Sequence, residues 1–116
     1  MSNTARTLKL LRAHGWHADV CERWIPGANI RRDLFGAFDI IALKNEQPRH
    51  ERGRILAVQT CNECDVKRRQ DKMASLLGVK LWLSCGGEIA VIAWGKRGPA
   101  RRKKWVTYMN PAVFKL

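Results

Sequence analysis

Residues 38–43, FDIIAL, and residues 54–61, RILAVQTC, are two apolar runs that read as buried strands. The stretch between them, KNEQPRHERG at 44–53, is a charged turn that joins them as a hairpin. Asp39 interrupts the first run near its start and Gln59 enters the second near its end, so the pairing brings both to one edge of a sheet. An unpaired carboxylate in a buried strand costs several kcal/mol unless a cation or hydrogen bonds face it. A core ion pair with Arg31 or Arg32 would meet that need, and so would a metal ion.

Working outward, Thr4–His14 predicts an amphipathic helix, with Thr4 as cap, Leu8 and Leu11 on one face and Gly15 as the stop. Ala18–Ile25 alternates as a strand that Pro26-Gly27 ends, and 28–36 is polar and turn-like. After the second apolar run, Asn62 caps a helix from Glu63 to about Leu77 that buries Val66, Met73, Leu76 and Leu77, with Gly78 as its stop. Lys80–Cys85 and Glu88–Trp94 read as two strands around a Gly86-Gly87 hairpin, and Trp105–Tyr108 as a last strand. Trp24 and Trp94 are expected in the core. The order helix, three strands, helix, two strands predicts an α/β (α+β) fold: a single mixed β-sheet flanked by helices. Its 116 residues suit one domain, 1–116, with a basic C-terminal segment over 96–116.

Lys and Arg number 22 against 10 Asp and Glu, a formal charge of +12 with a pI near 10.3. Such an excess favours a polyanionic partner, because phosphate neutralisation releases counterions. The bland alternatives are a solubilising basic surface or a basic scaffold that binds RNA. Met1–Arg12 has no continuous apolar stretch, and no segment approaches the roughly 20 apolar residues of a membrane span. A soluble, intracellular, cytoplasmic protein without a membrane partner is therefore expected. Cys21, Cys61, Cys64 and Cys85 could form disulfides or a zinc site, or remain thiols. An intracellular setting disfavours disulfides, and Cys61 and Cys64 lack the second pair of a zinc site, so reduced thiols are the preferred reading.

RRDLFGAFDIIAL at 31–43 followed by ILAVQT at 55–60, in the helix, three-strand, helix order, resembles the PD-(D/E)XK nucleases. The likeness is to small phage-type and Holliday-junction-resolvase-like members, and it spans about Thr4 to Trp94. It implies a restriction-endonuclease-like core, α-β-β-β-α-β-β, and a metal-dependent endonuclease that hydrolyses DNA, including branched or structured DNA. By the same likeness Asp39 is the catalytic acid, with Phe38 where Pro is usual. Mg²⁺, with Mn²⁺ as its substitute, would be held by Asp39, Gln59 and the Thr60 carbonyl. Gln59 is neutral where an acid is common, so Glu22 and Asp33 are the further candidates to supply charge. Cys61 stands where the family's Lys belongs, and Lys67, on the following helix, is the preferred replacement. The DNA backbone would meet Arg31, Arg32, Arg68, Lys72, Lys96, Arg97, Arg101, Arg102, Lys103 and Lys104. A homodimer is a further option, and no small-molecule cofactor is implied. The competing expectation keeps the fold and the DNA but drops catalysis.

Overall fold

The computed structural model describes residues 1–45 and 53–96, together with the backbone of 97 and 104–109. The chain runs α1 (Asn3–Ala13), β1 (His17–Val20), β2 (Arg23–Ile25), β3 (Ile30–Arg32), β4 (Ile40–Lys44) and β5 (Arg54–Asn62). A 3-10 turn (Glu63–Asp65) then leads into α2 (Val66–Ala74), α3 (Leu77–Ser84), β6 (Glu88–Arg97) and β7 (Lys104–Met109).

The cap of α1 is Ser2, two residues before Thr4, because the Ser2 hydroxyl accepts the Ala5 amide at 3.1 Å. Leu11 is wholly buried on the inner face, and Arg12 ties the helix end to β1 by donating to the Ala18 carbonyl at 2.8 Å.

Five strands form one mixed sheet in the order β1-β4-β5-β6-β7. β1, β4 and β5 are an antiparallel meander, β6 lies parallel to β5, and β7 returns antiparallel. β5 is the spine, and Leu56 to Cys61 are all buried. Its alternation divides the core in two. Leu56 and Val58 face α1 with Leu11, Trp16, Ile40, Ile92 and Trp94. Ala57 and Cys61 face α2 and α3 with Phe38, Met73, Val79, Ile89 and Val91.

Three expectations are corrected. Residues 80–84 are helical, part of α3, with Cys85 as its C-cap, and the Gly86-Gly87 pair follows the helix end instead of making a hairpin. Gly86 adopts φ +87°, its amide donates to the Leu83 carbonyl, and the Gly87 amide donates to the Trp82 carbonyl. Gly87 must also lack a side chain, since a Cβ there would strike the Trp82 indole. The physical reason is topological: β6 is parallel to β5, and a parallel return needs a crossover that a two-residue turn cannot provide. Secondly, the helix expected over 63–77 is split. A break at Ser75-Leu76 separates α2 from α3, which leaves Leu77 exposed and places Gly78 inside α3, where Phe35 lies against it.

Thirdly, the strand expected over 18–25 breaks at Cys21-Glu22. Its second half pairs with β3 as a separate antiparallel ribbon in which Arg23 faces Arg32, Trp24 faces Arg31, and Ile25 faces Ile30. The sheet is therefore not single. Trp24, expected in the core, is 52% exposed on that ribbon, whereas Trp94 is buried and donates from Nε1 to the Thr7 hydroxyl at 2.8 Å. Among the described residues, no helix is long and apolar enough to cross a membrane.

Candidate metal centre

Asp39 stands one residue ahead of β4, yet its backbone already follows the sheet. Its amide donates to the Val58 carbonyl at 2.8 Å, and its carbonyl accepts the Cys21 amide at 2.9 Å. Because Ile40 is registered with Val58, Asp39 falls opposite Gln59, on the side of the sheet covered by α2 and α3. Asp33 reaches the same place through a tight turn. The Leu34 amide donates to the Phe38 carbonyl, and Phe35 and Gly36 turn the chain with φ of +55° and +71°. A bulky residue at positive φ is strained, so the surrounding packing must hold the turn. Glu22 arrives from the break between β1 and β2.

The result is a cluster of three acids, Glu22, Asp33 and Asp39, each with an oxygen within 4.8 Å of the others. Asp39 is 6% exposed. Its Oδ2 accepts two hydrogen bonds, from Gln59 Nε2 at 2.9 Å and from the Thr60 amide at 2.9 Å. Burial lifts its pKa from the ordinary 3.8 to about 7, against the pull of the Thr60 amide. A hydrogen bond with Asp33, and the charges of Asp33 and Glu22, add to the rise. At neutral pH the cluster therefore needs a shared proton or a bound cation. Three carboxylates gathered in this way could hold a metal ion, for which oxygen ligands suit a hard cation.

Of the sequence-derived ligands, Gln59 and Thr60 are indeed here, but they grip Asp39. Gln59 Nε2 also donates to the Thr60 carbonyl at 3.1 Å, so that carbonyl is occupied within the protein. Thr60 is in turn braced from α1, its hydroxyl 3.0 Å from that of Thr7. Of the two arginines expected to pair with Asp39, Arg31 reaches Glu22 at 3.3 Å, while Arg32 lines a 370 Å³ cavity with Cys21, Arg23, Asp33, Leu34 and Phe35.

Lys67 lies on the exposed side of α2. Arg69 is half-buried, its Nε is enclosed without a hydrogen-bond partner, and its charge acts on Cys61, the residue at the position of the family's Lys. Burial pushes the Cys61 thiol up to about 11 despite Arg69, which marks it as a packing thiol. All four cysteines are free. Arg69 was legible only as one of several basic residues on a helix; the helix phase that turns it inward depends on the placement of α2. Arg68 and Lys72 join it around a 210 Å³ concavity, although Arg68 also pairs with Asp65 at 3.0 Å. Lys96 is exposed beside Asn62 and Glu63. Arg97 and Lys104 are placed by backbone only, and Arg101, Arg102 and Lys103 lie outside the described residues.

A pH dependence follows. Asp39 binds its proton more tightly folded than unfolded, so the stability this proton contributes is full below about pH 4 and is lost as pH rises through about 7. Without metal, the melting temperature at about pH 8 should lie roughly 5–10 °C below that at about pH 5. Millimolar Mg²⁺ or Mn²⁺ should recover the loss at the higher pH and have little effect at the lower. Thermal unfolding scans with EDTA and with each ion check this, and equal stability at both pH values would argue against a raised Asp39 pKa.

No family model matches the chain, and no curated protein or solved structure matches it.

Proposed function

We propose that this chain is a Mg²⁺-dependent nuclease acting on DNA phosphodiester bonds. The observation that carries the reading is the three-carboxylate cluster with the buried Asp39 at its centre, in a chain of formal charge +12. Carboxylates converge in a strongly basic protein at a cost in mutual repulsion, which a bound divalent ion would remove. The chain path also supports a restriction-endonuclease-like core. It has a helix, three antiparallel strands with Asp39 entering the second and Gln59 on the third, then helices and a strand parallel to the third.

Glu22, Asp33 and Asp39 would hold the ion, which supplies a Lewis acid for a phosphoryl oxygen and lowers the pKa of water. Gln59 and the Thr60 amide keep the Asp39 carboxylate in one orientation, so little reorganisation is needed when its proton leaves. Arg23 and Arg32, on either side of the cavity beside Asp33, are positioned to take phosphate oxygens of the backbone. Arg69 of α2, whose charge acts on Cys61 at the position of the family's Lys, would be the source of positive charge on the helical side.

The test is incubation of the purified protein with end-labelled linear, flapped and four-way-junction DNA in Mg²⁺, Mn²⁺ or EDTA. Cleavage with either ion and none in EDTA is expected, with products bearing a hydroxyl and a phosphate at the cut. Binding without cleavage of any substrate would leave a non-catalytic DNA-binding protein as the function.

A further inference from the structure

Residues 23–32, the β2–β3 ribbon, contain three arginines and no acid, and they expose a tryptophan. The two ends of the ribbon are the acids of the cluster: Glu22 immediately precedes β2 and Asp33 immediately follows β3. Whatever occupies the cluster therefore lies at the foot of the ribbon. Trp24 is registered with Arg31, and Arg31 reaches back to Glu22 at 3.3 Å, so the indole, the guanidinium and the cluster are linked along one face. On the other face Arg23 stands opposite Arg32. Like charges directly across a two-stranded ribbon destabilise it, and an anion between them reverses the sign.

We infer that the ribbon is a nucleic-acid arm on which Trp24 stacks an unpaired base next to the cleaved phosphate, directing the enzyme to single-stranded or flapped DNA. The inference rests on the nuclease reading for its substrate but is tested apart from it. An exposed indole is costly in water, and the surroundings decide what covers it. Arginines on both faces of the ribbon repel a basic second copy of this chain and attract a polyanion. The π-face of an indole beside a guanidinium accepts any base that is free of its own stack, whereas a base within a duplex has its faces already covered.

The experiment is fluorescence anisotropy in EDTA, which removes cleavage from the measurement, with labelled oligo-dT, a blunt duplex and a flapped duplex. Trp24→Ala should weaken oligo-dT and flap binding about tenfold and change blunt-duplex binding less than about twofold, while Trp24→Phe should retain most of the affinity. Oligo-dT should also quench the tryptophan emission of the wild type more than that of Trp24→Ala. Equal weakening on all three DNAs, or no weakening, overturns the inference even if the wild type cleaves. A sedimentation shift from dimer to monomer in Trp24→Ala, with DNA binding unchanged, would overturn it in favour of a self-association face. If the wild type cuts nothing yet shows the single-strand preference, the arm stands and the nuclease reading falls.

Discussion

Asp39→Asn should reduce DNA cleavage by about a thousandfold or more, equivalent to about 4 kcal/mol in the barrier, without unfolding the protein. The substitution suits the site sterically. An Asn oxygen can accept from Gln59 Nε2 and the Thr60 amide as Asp39 Oδ2 does, and its amide can donate toward Asp33 as the protonated acid would. What it loses is the charge that draws a divalent ion. Without metal at about pH 8 the variant should melt at or above the wild-type temperature, since it has no buried proton to lose. The stabilising effect of Mn²⁺ on melting should largely disappear, and DNA binding should be equal or tighter because a negative charge facing phosphate is gone. Cleavage rate, melting temperature in EDTA and the Mn²⁺-induced shift are the three measurements. A variant that melts early and still cuts DNA would mean that Asp39 is an ordinary structural acid.

Phe38→Ala should destabilise the protein by about 3–5 kcal/mol, the range for removing a fully buried phenyl ring. Phe38 is wholly buried, the largest such side chain among the described residues, and its ring meets Trp82 of α3 at a centroid distance of 5.7 Å. Its carbonyl also closes the turn by accepting the Leu34 amide, so the ring anchors the loop that carries Asp33 and Asp39. With domains of this size stable by about 5–15 kcal/mol, the variant should fold at low temperature and unfold at much lower urea. Phe38→Leu should cost less than about 1.5 kcal/mol if the neighbouring side chains repack around it. A change below about 1 kcal/mol for Phe38→Ala would show that Phe38 does not hold the loop against α3.

Some of this architecture was written in local sequence. The apolar runs 38–43 and 54–61 declared two central strands, and their charged connection declared them antiparallel, because side-chain alternation and turn chemistry act between near neighbours. The same pairing placed Asp39 opposite Gln59, and a carboxylate in an apolar run announced a special environment before any contact was known. The charge of +12 likewise belongs to composition alone. Other features depended on partners distant in the chain. Residues 80–85 read as a hairpin strand beside Gly86-Gly87, but the strand that follows is parallel to β5, and residues 80–84 belong to a helix. Glu22 and Asp33 were candidates through the resemblance, and it is the break after β1 and the turn through Phe35 that bring them to Asp39. Gln59 was expected as a ligand beside Asp39, and the tertiary structure adds that its amide nitrogen donates to the Asp39 carboxylate. Lys67 and Arg69 are equally basic in sequence; the phase of α2 against the sheet exposes the first and encloses the second. Local patterning sets which segments are strands and where a buried charge must lie, because those energies come from neighbours within a few residues. Which groups meet that charge is decided by tertiary packing, since their approach depends on the register and phase of elements far apart in the chain.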